Sequence, residues 1–260
     1  MSIEKSKLLL INSHDRTSGS NTDFSIDISN QLTLENVVGI SVKSISCEHG
    51  FYNVAGENQL LRYQDGDSGL VETVLLPLGQ YDVDTFMTML VAEFQSQKGI
   101  TLSIALNEND YRLTIDSPSK SIGWLTERSR PVSNPAGDLL GITEELAPQI
   151  GPQVMPSPVN LLGPQTIYIM SNALALGQGI RTGSTGGQSA SILDAFSVAG
   201  YEWGTLVHTR SQDLSIDGVV YGKPRTLKSV DIKLVGVRSN QALVMPESFH
   251  IELLLRVFYK

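Results

Sequence analysis

One cysteine, Cys47, stands in the whole 260-residue chain. No internal disulfide can form, and zinc sites of four cysteines, or of two cysteines and two histidines, are excluded within one chain. The plain expectation for Cys47 is a small buried thiol. Charge is scarce as well: Asp, Glu, Lys and Arg make up 18% of the residues, below the roughly 25% of an ordinary soluble domain. Ser, Thr, Asn, Gln and Gly must therefore cover much of the surface, as in turn-rich β proteins and in surfaces that meet other proteins. Positive charge is the scarcer sign, 19 against 27, for a net charge of −8. No Lys/Arg cluster occurs, so neither nucleic-acid binding by phosphate neutralisation nor a polybasic membrane anchor finds support. Long apolar runs are missing too. Leu8–Ile11 is too short for a signal peptide or a membrane span. With no Asn-x-Ser/Thr sequon, the expectation is a protein made and kept in the cytosol, or assembled there.

What is present is period-two alternation. In "FSIDI", Phe24, Ile26 and Ile28 share one face, with Ser25 and Asp27 on the other. "ITLSIAL" places Ile100, Leu102, Ile104 and Leu106 on one side, and after the turn at 107–110 "YRLTID" completes a hairpin. "SVDIKLVGV" (229–237) and "SFHIELLLRVF" (248–258) alternate again. In the latter Phe249, Ile251, Leu253, Leu255 and Val257 oppose His250, Glu252 and Arg256. Such segments read as half-buried antiparallel strands.

One stretch follows the other period. Val83, Phe86, Met87, Leu90, Val91 and Phe94 form a helical stripe, with Asp82 placed as N-cap and Gly99 just past the end. Further on, eight of the 11 prolines fall between 117 and 164, which argues against a regular central strand there. The Gly/Ser-rich stretch 177–191 reads as a mobile loop. Further strands are expected near 7–12, 37–47, 59–63, 70–76, 165–170, 205–208 and 213–220. With 41% apolar residues the chain can bury a sizeable core, and all-β sandwiches reach this length. The expected fold is all-β, a single jelly-roll β-sandwich with one amphipathic helix and long loop insertions. It is expected as one domain over 1–260, with an extended N-terminal segment 1–23 and irregular insertions at about 117–164 and 177–204.

Chemistry-bearing constellations are thin. His14, Asp15 and Arg16 lie side by side, but as the link between two strands they suit structural anchoring. Asp15 is placed to form an Asx-type turn, and Arg16 to reach a neighbouring carboxylate or carbonyl. His14, His49, His208 and His250 show no i, i+2 or i, i+4 spacing for a local metal site. "GQGIRTG" misplaces the third glycine of a dinucleotide loop, and no Gly-x-Ser-x-Gly elbow exists. Neither catalytic residues nor cofactor or metal ligands are assigned. His250, Glu252 and Arg256 read as a solvated or interface face. Trp124, Trp203 and Tyr201 would stack on a sugar if exposed, and otherwise wedge loops onto the body.

In order, "LLLINSHDRTSGSNTDFSIDI", "VVGISVKSISCEHGFYNV", "NQLLRY", "LPLGQYDVDTFMTMLVAEF", "PQTIYIMSN", "LSIDGVV" and the closing alternating strands resemble one family. It comprises the minor capsid, or penton, proteins of the viral lineage with double jelly-roll major capsid proteins, which includes virophages, Polinton-like elements and nucleocytoplasmic large DNA viruses. The resemblance implies a non-enzymatic virion protein, a single jelly roll without cofactors. Five copies would fill a fivefold vertex of an icosahedral capsid. Its implied partners are its own copies, the neighbouring major capsid protein and other minor capsid or spike proteins, with no nucleic acid and no membrane insertion. It would be made in the host cytoplasm. The competing readings are a spike or fibre-type host-attachment jelly roll that binds carbohydrate, and a β-sandwich hydrolase using His14, Asp15 or His208.

Overall fold

The computed structural model describes residues 5–29, 34–129, 132, 134–175, 179–181, 188–210, 218–236 and 242–260. In chain order the strands begin β1 (Lys5–Asn12), β2 (Asp23–Asp27), β3 (Leu34–Glu48), β4 (Leu60–Asp65) and β5 (Val71–Leu75). Helix α1 (Val83–Lys98) precedes β6 (Ser103–Asn107), β7 (Arg112–Trp124), β8 (Leu146–Val154) and β9 (Thr166–Met170). After the single-turn helix α2 (Asn172–Ala175) come β10 (Ile192–Ser197), β11 (Leu206–Arg210), β12 (Val219–Leu227), β13 (Ser229–Gly236) and β14 (Ile251–Tyr259). The single domain expected over 1–260 resolves into two compact units, residues 1–51 with 164–260 and residues 52–163.

In the first unit one sheet runs β1-β14-β3-β11, and the other runs β10-β9-β13-β2 with Ser18–Gly19 beyond β2. All these pairs are antiparallel. The long β3 accommodates two partners end to end: β11 opposite Ser44–Glu48 and β12 opposite Leu34–Ile40. Counted as one interrupted strand, these two make an eight-strand set whose sheets read 1-8-3-6 and 2-7-4-5. That order is a jelly roll. The alternation explains why the sheets close on each other. Ile251, Leu253, Leu255 and Val257 of β14 are buried together with Phe24, Ile26, Ile167, Ile169, Val230 and Ile232 from the opposite sheet. Lys43 is an extra residue in β3, because Leu255 pairs with Val42 and Leu254 with Ser44.

The second unit lies in the chain between the third and fourth jelly-roll strands. Its sheet runs β5-β4-β7-β6, with β8 on the other side of β7. Helix α1 supplies Phe86, Met89, Leu90 and Phe94 to a core shared with Leu61, Tyr63, Leu113, Ile115 and Trp124. Phe94 is the centre of an aromatic stack, 5.3 Å from Tyr63 and 6.0 Å from Trp124 between ring centroids. The expected caps are present. Asp82 Oδ1 accepts from the Thr85 amide and hydroxyl, and Gly99 takes the left-handed conformation at φ 66°.

Three expectations are corrected here. Region 117–164 is not irregular throughout, since β7 runs past Pro118 and β8 contains Pro148 and Pro152. Among the described residues β8 pairs only with β7, and prolines are tolerated in an edge strand where the missing N–H faces outward. Within 177–204, β10 is a regular strand paired with β9. Residues 177–178 and 182–187 of the Gly/Ser stretch, and 213–217 of the strand expected at 213–220, lie outside the described residues. Of segment 1–23, the described residues 5–23 do not extend away: β1 pairs with β14 along its whole length, and Ile11, Ser13, Asn21 and Thr22 are buried. Polar side chains enter the interior because each is hydrogen-bonded. Asn21 Nδ2 donates to the carbonyls of Pro246 and Phe249, and Thr22 Oγ1 to that of Leu243.

Candidate assembly surfaces of the jelly roll

After β1 the chain turns sharply through a 3-10 turn at Ser13–Asp15, and Asn12 drives this turn. Its Oδ1 accepts from the His14 amide at 2.9 Å, while its Nδ2 donates to Glu252 Oε1 at 2.9 Å. The Asx-type turn is thus made by Asn12 rather than by Asp15, which is exposed and makes no hydrogen bond or ion pair among the described residues. The spacing Asn-x-His in "NSHD" carries the signal, since an Asx oxygen reaches the amide two residues on.

Arg16 reaches both a carbonyl and a carboxylate. One guanidinium nitrogen donates to the Ser13 carbonyl and another to Glu247 Oε2, both at 3.0 Å. Glu247 is visible only in the fold, because nothing local in the sequence links it to Arg16. Ser13 Oγ accepts from the Ile251 amide, so the 12–22 and 246–252 segments are tied at several points. His250 faces His14 at 5.0 Å between ring centroids, and its Nδ1 lies 3.4 Å from Glu48 Oε2. The structure therefore brings Arg16, His250 and Glu252 into one polar patch with Asn12, His14, Glu48 and Glu247. Arg256 lies further along β14, opposite Leu8 and Ser41. Its Nε has no acceptor among the described residues.

His208 is held for structural ends. Its Nε2 accepts from Arg210 Nε at 3.0 Å, which leaves the ring proton on Nδ1 to donate to Ser46 Oγ at 2.6 Å. His49 lies beside Phe51, and burial pushes its pKa below the ordinary histidine value. Cys47 is buried as expected, and desolvation, with Glu48 adding to it, pushes its thiol up to about 12. No thiolate is available at neutral pH. Among the described residues no group of three or more His, Cys, Asp or Glu side chains is arranged to hold a metal ion.

The aromatic candidates part company. Trp124 is 1% exposed, in the core of the second unit against Phe94, so it offers no face to a ligand. Tyr201 and Trp203 are 42% and 39% exposed on the loop before β11, where Trp203 rests on Phe249 at 5.7 Å. The outer face of the first sheet is a different kind of surface. Leu8, Leu10 and Leu206 are each about 60% exposed there, with Ser44 and Ser46 of β3 half-buried between the two edges.

No family model and no curated protein matches the chain. Among solved structures it is similar to the mavirus penton protein, at 11% identity and a TM-score of 0.46, over 97% of this chain and 99% of that one. It is also similar to a chain in the cryo-EM structure of the Sputnik virophage, at 11% identity and a TM-score of 0.44, over 100% of this chain and 99% of that one.

Proposed function

We propose that this chain is a structural capsid protein, a penton or minor capsid subunit whose copies close into a pentamer at the fivefold vertices of an icosahedral shell. The observation that carries the reading is the jelly-roll strand order of the first unit, in a sequence whose phrases from "LLLINSHDR" to the closing strands resemble penton proteins outside 117–164 and 177–204. Surface chemistry supports it. The outer sheet face combines exposed leucines with serine hydroxyls, a surface suited to burial against another protein. Of the side chains a hydrolase reading would use, His208 is taken up by Ser46 across the β3–β11 pair, and His14 lies against the His250 ring. A ring of identical subunits needs two different, complementary lateral surfaces on each copy. Light scattering coupled to size exclusion, with negative-stain micrographs, is the test. Five-membered rings, alone or with the major capsid protein co-expressed, are expected; a monomer at high concentration under both conditions refutes the reading.

Tyr201 and Trp203 favour one second reading, attachment to host carbohydrate, because both expose ring surface on the same loop. It predicts glycan binding that is lost in the Trp203→Ala variant.

A further inference from the structure

The edges of the sheets are not equally guarded. Strand β8 contains Pro148 and Pro152, which cannot donate to an added strand. Strand β5 is closed at Leu75 by an amide side chain: Gln97 Nε2 donates to the Leu75 carbonyl at 2.7 Å, and Gln97 Oε1 accepts from its amide at 2.9 Å. Strand β1 has neither device. Among the described residues it pairs with β14 alone, over eight residues free of Pro and Gly, and it carries Leu8 and Leu10 at 60% and 61% exposure. An eight-residue edge left open in this way, apolar at Leu8 and Leu10, is a template for another strand.

The charge on this edge says what kind of strand fits. In a chain of net charge −8, β1 carries Lys5 and Lys7 and no acid. Lys7 lies over the Tyr259 ring, Lys260 follows Tyr259, and Arg256 lies opposite Leu8 with its Nε unmatched. The edge is thus basic at its N-terminal end and apolar over Leu8–Ile11. We propose that β1 receives an extended segment from a different protein chain of the assembly, antiparallel, apolar where it meets Leu8–Ile11 and carboxylate-bearing where it meets Lys5 and Lys7. Main-chain hydrogen bonds supply affinity, and the charges fix direction and register. The identity of the donor as a capsid component rests on the function proposed above; the edge itself does not.

The probe is the peptide Thr-Val-Val-Thr-Val-Glu-Thr-Glu, acetylated and amidated, titrated into the full chain at low salt, with its Lys-for-Glu counterpart as comparison. Saturable binding of the acidic peptide is expected, about ten-fold tighter than the basic one, as two exposed ion pairs replaced by repulsion imply. The double variant Lys5→Glu/Lys7→Glu is expected to invert that preference. Leu10→Lys, at an exposed position, is expected to weaken both peptides while leaving the thermal transition in place. No saturable binding up to millimolar peptide overturns the proposal, as does equal binding of both peptides. A dimer of the free chain that Leu10→Lys dissociates would assign the edge to a second copy and overturn it too. Ring formation is read separately in micrographs, so rings without peptide binding reject only the edge, and binding without rings rejects only the vertex role.

Discussion

At the scale of single residues, buried amides do the work that cross-links do elsewhere. With one cysteine, long loops must be fastened by other means, and the described residues use asparagine. Asn53, 2% exposed, accepts from the Tyr81 amide at Oδ1 and donates from Nδ2 to the carbonyls of Tyr81 and Leu161. Asn134, fully buried, accepts from the Arg62 amide and donates to the Leu125 carbonyl. Asn21 bridges two carbonyls in the first unit. An amide succeeds there because it carries a donor and an acceptor on one planar group, where a carboxylate only accepts. Asn53→Asp is therefore expected to lower stability by about 1–3 kcal/mol at neutral pH. The new carboxylate would face two carbonyls, so its folded-state pKa rises above the ordinary value of about 3.9. The deficit is then small below that value and grows as pH rises through the folded-state pKa. Urea titrations at pH 3.5 and 7 check this; a deficit that is the same at both refutes the clamp.

At the scale of elements, legibility followed periodicity. Helix α1 was readable to its ends because its stripe, its Asp82 cap and its Gly99 stop are all local signals. Strand β14 was readable because one face is wholly buried, so each side chain reports its direction. Strand β8 was hidden, because its prolines argue against a central strand and only its place at the edge makes them acceptable. The turn at Ser13–Asp15 was half legible: the link was evident, but the residue making the Asx turn is Asn12. Gly99 tests the helix stop by itself. At φ 66° a side chain is strained, yet an added Cβ meets nothing within 4 Å, so Gly99→Ala isolates the backbone term. A loss of about 1–2 kcal/mol is expected on denaturation. A change of sign, with the variant more stable, would mean that the unfolded-chain entropy of glycine outweighs the strain. The cap has its own pH signature. Hydrogen bonds from the Thr85 hydroxyl and amide hold the Asp82 carboxyl below its ordinary value. Its contribution is present above the unfolded-state pKa and is lost as pH falls through the lowered folded-state value.

At the scale of the whole molecule, the division into two units was not legible. Strands β4 to β8 alternate like those of the jelly roll, and periodicity reports that a residue is buried without saying in which core. The chain gives the division away only through long-range pairing. Among the described residues no strand of 52–163 shares a sheet with a strand of the first unit, and each unit has its own cluster of buried side chains. The ends of the second unit also meet. A Cβ built on Gly163 would lie 3.5 Å from Asn53 Cβ, and the Asn53 side chain holds both Tyr81 and Leu161. A segment whose two ends are adjacent can be inserted into a loop with little distortion of its host, and such segments fold independently when they own a core. Residues 52–163 expressed alone are therefore expected to give a dispersed NMR spectrum and a cooperative thermal transition. The complementary chain, with Phe51 joined to Pro164 through a short Gly/Ser linker, is expected to keep the far-UV signature of a β-sandwich. Loop-closure cost changes slowly with length, so replacing the insert by a short linker shifts the balance by little. If instead either piece is collapsed but uncooperative, the two cores depend on each other and the insert is part of one folding unit. The deleted chain then gives the sharper assay of the vertex role. Rings that persist without residues 52–163 would assign assembly to the jelly roll and leave the inserted unit for contacts of its own.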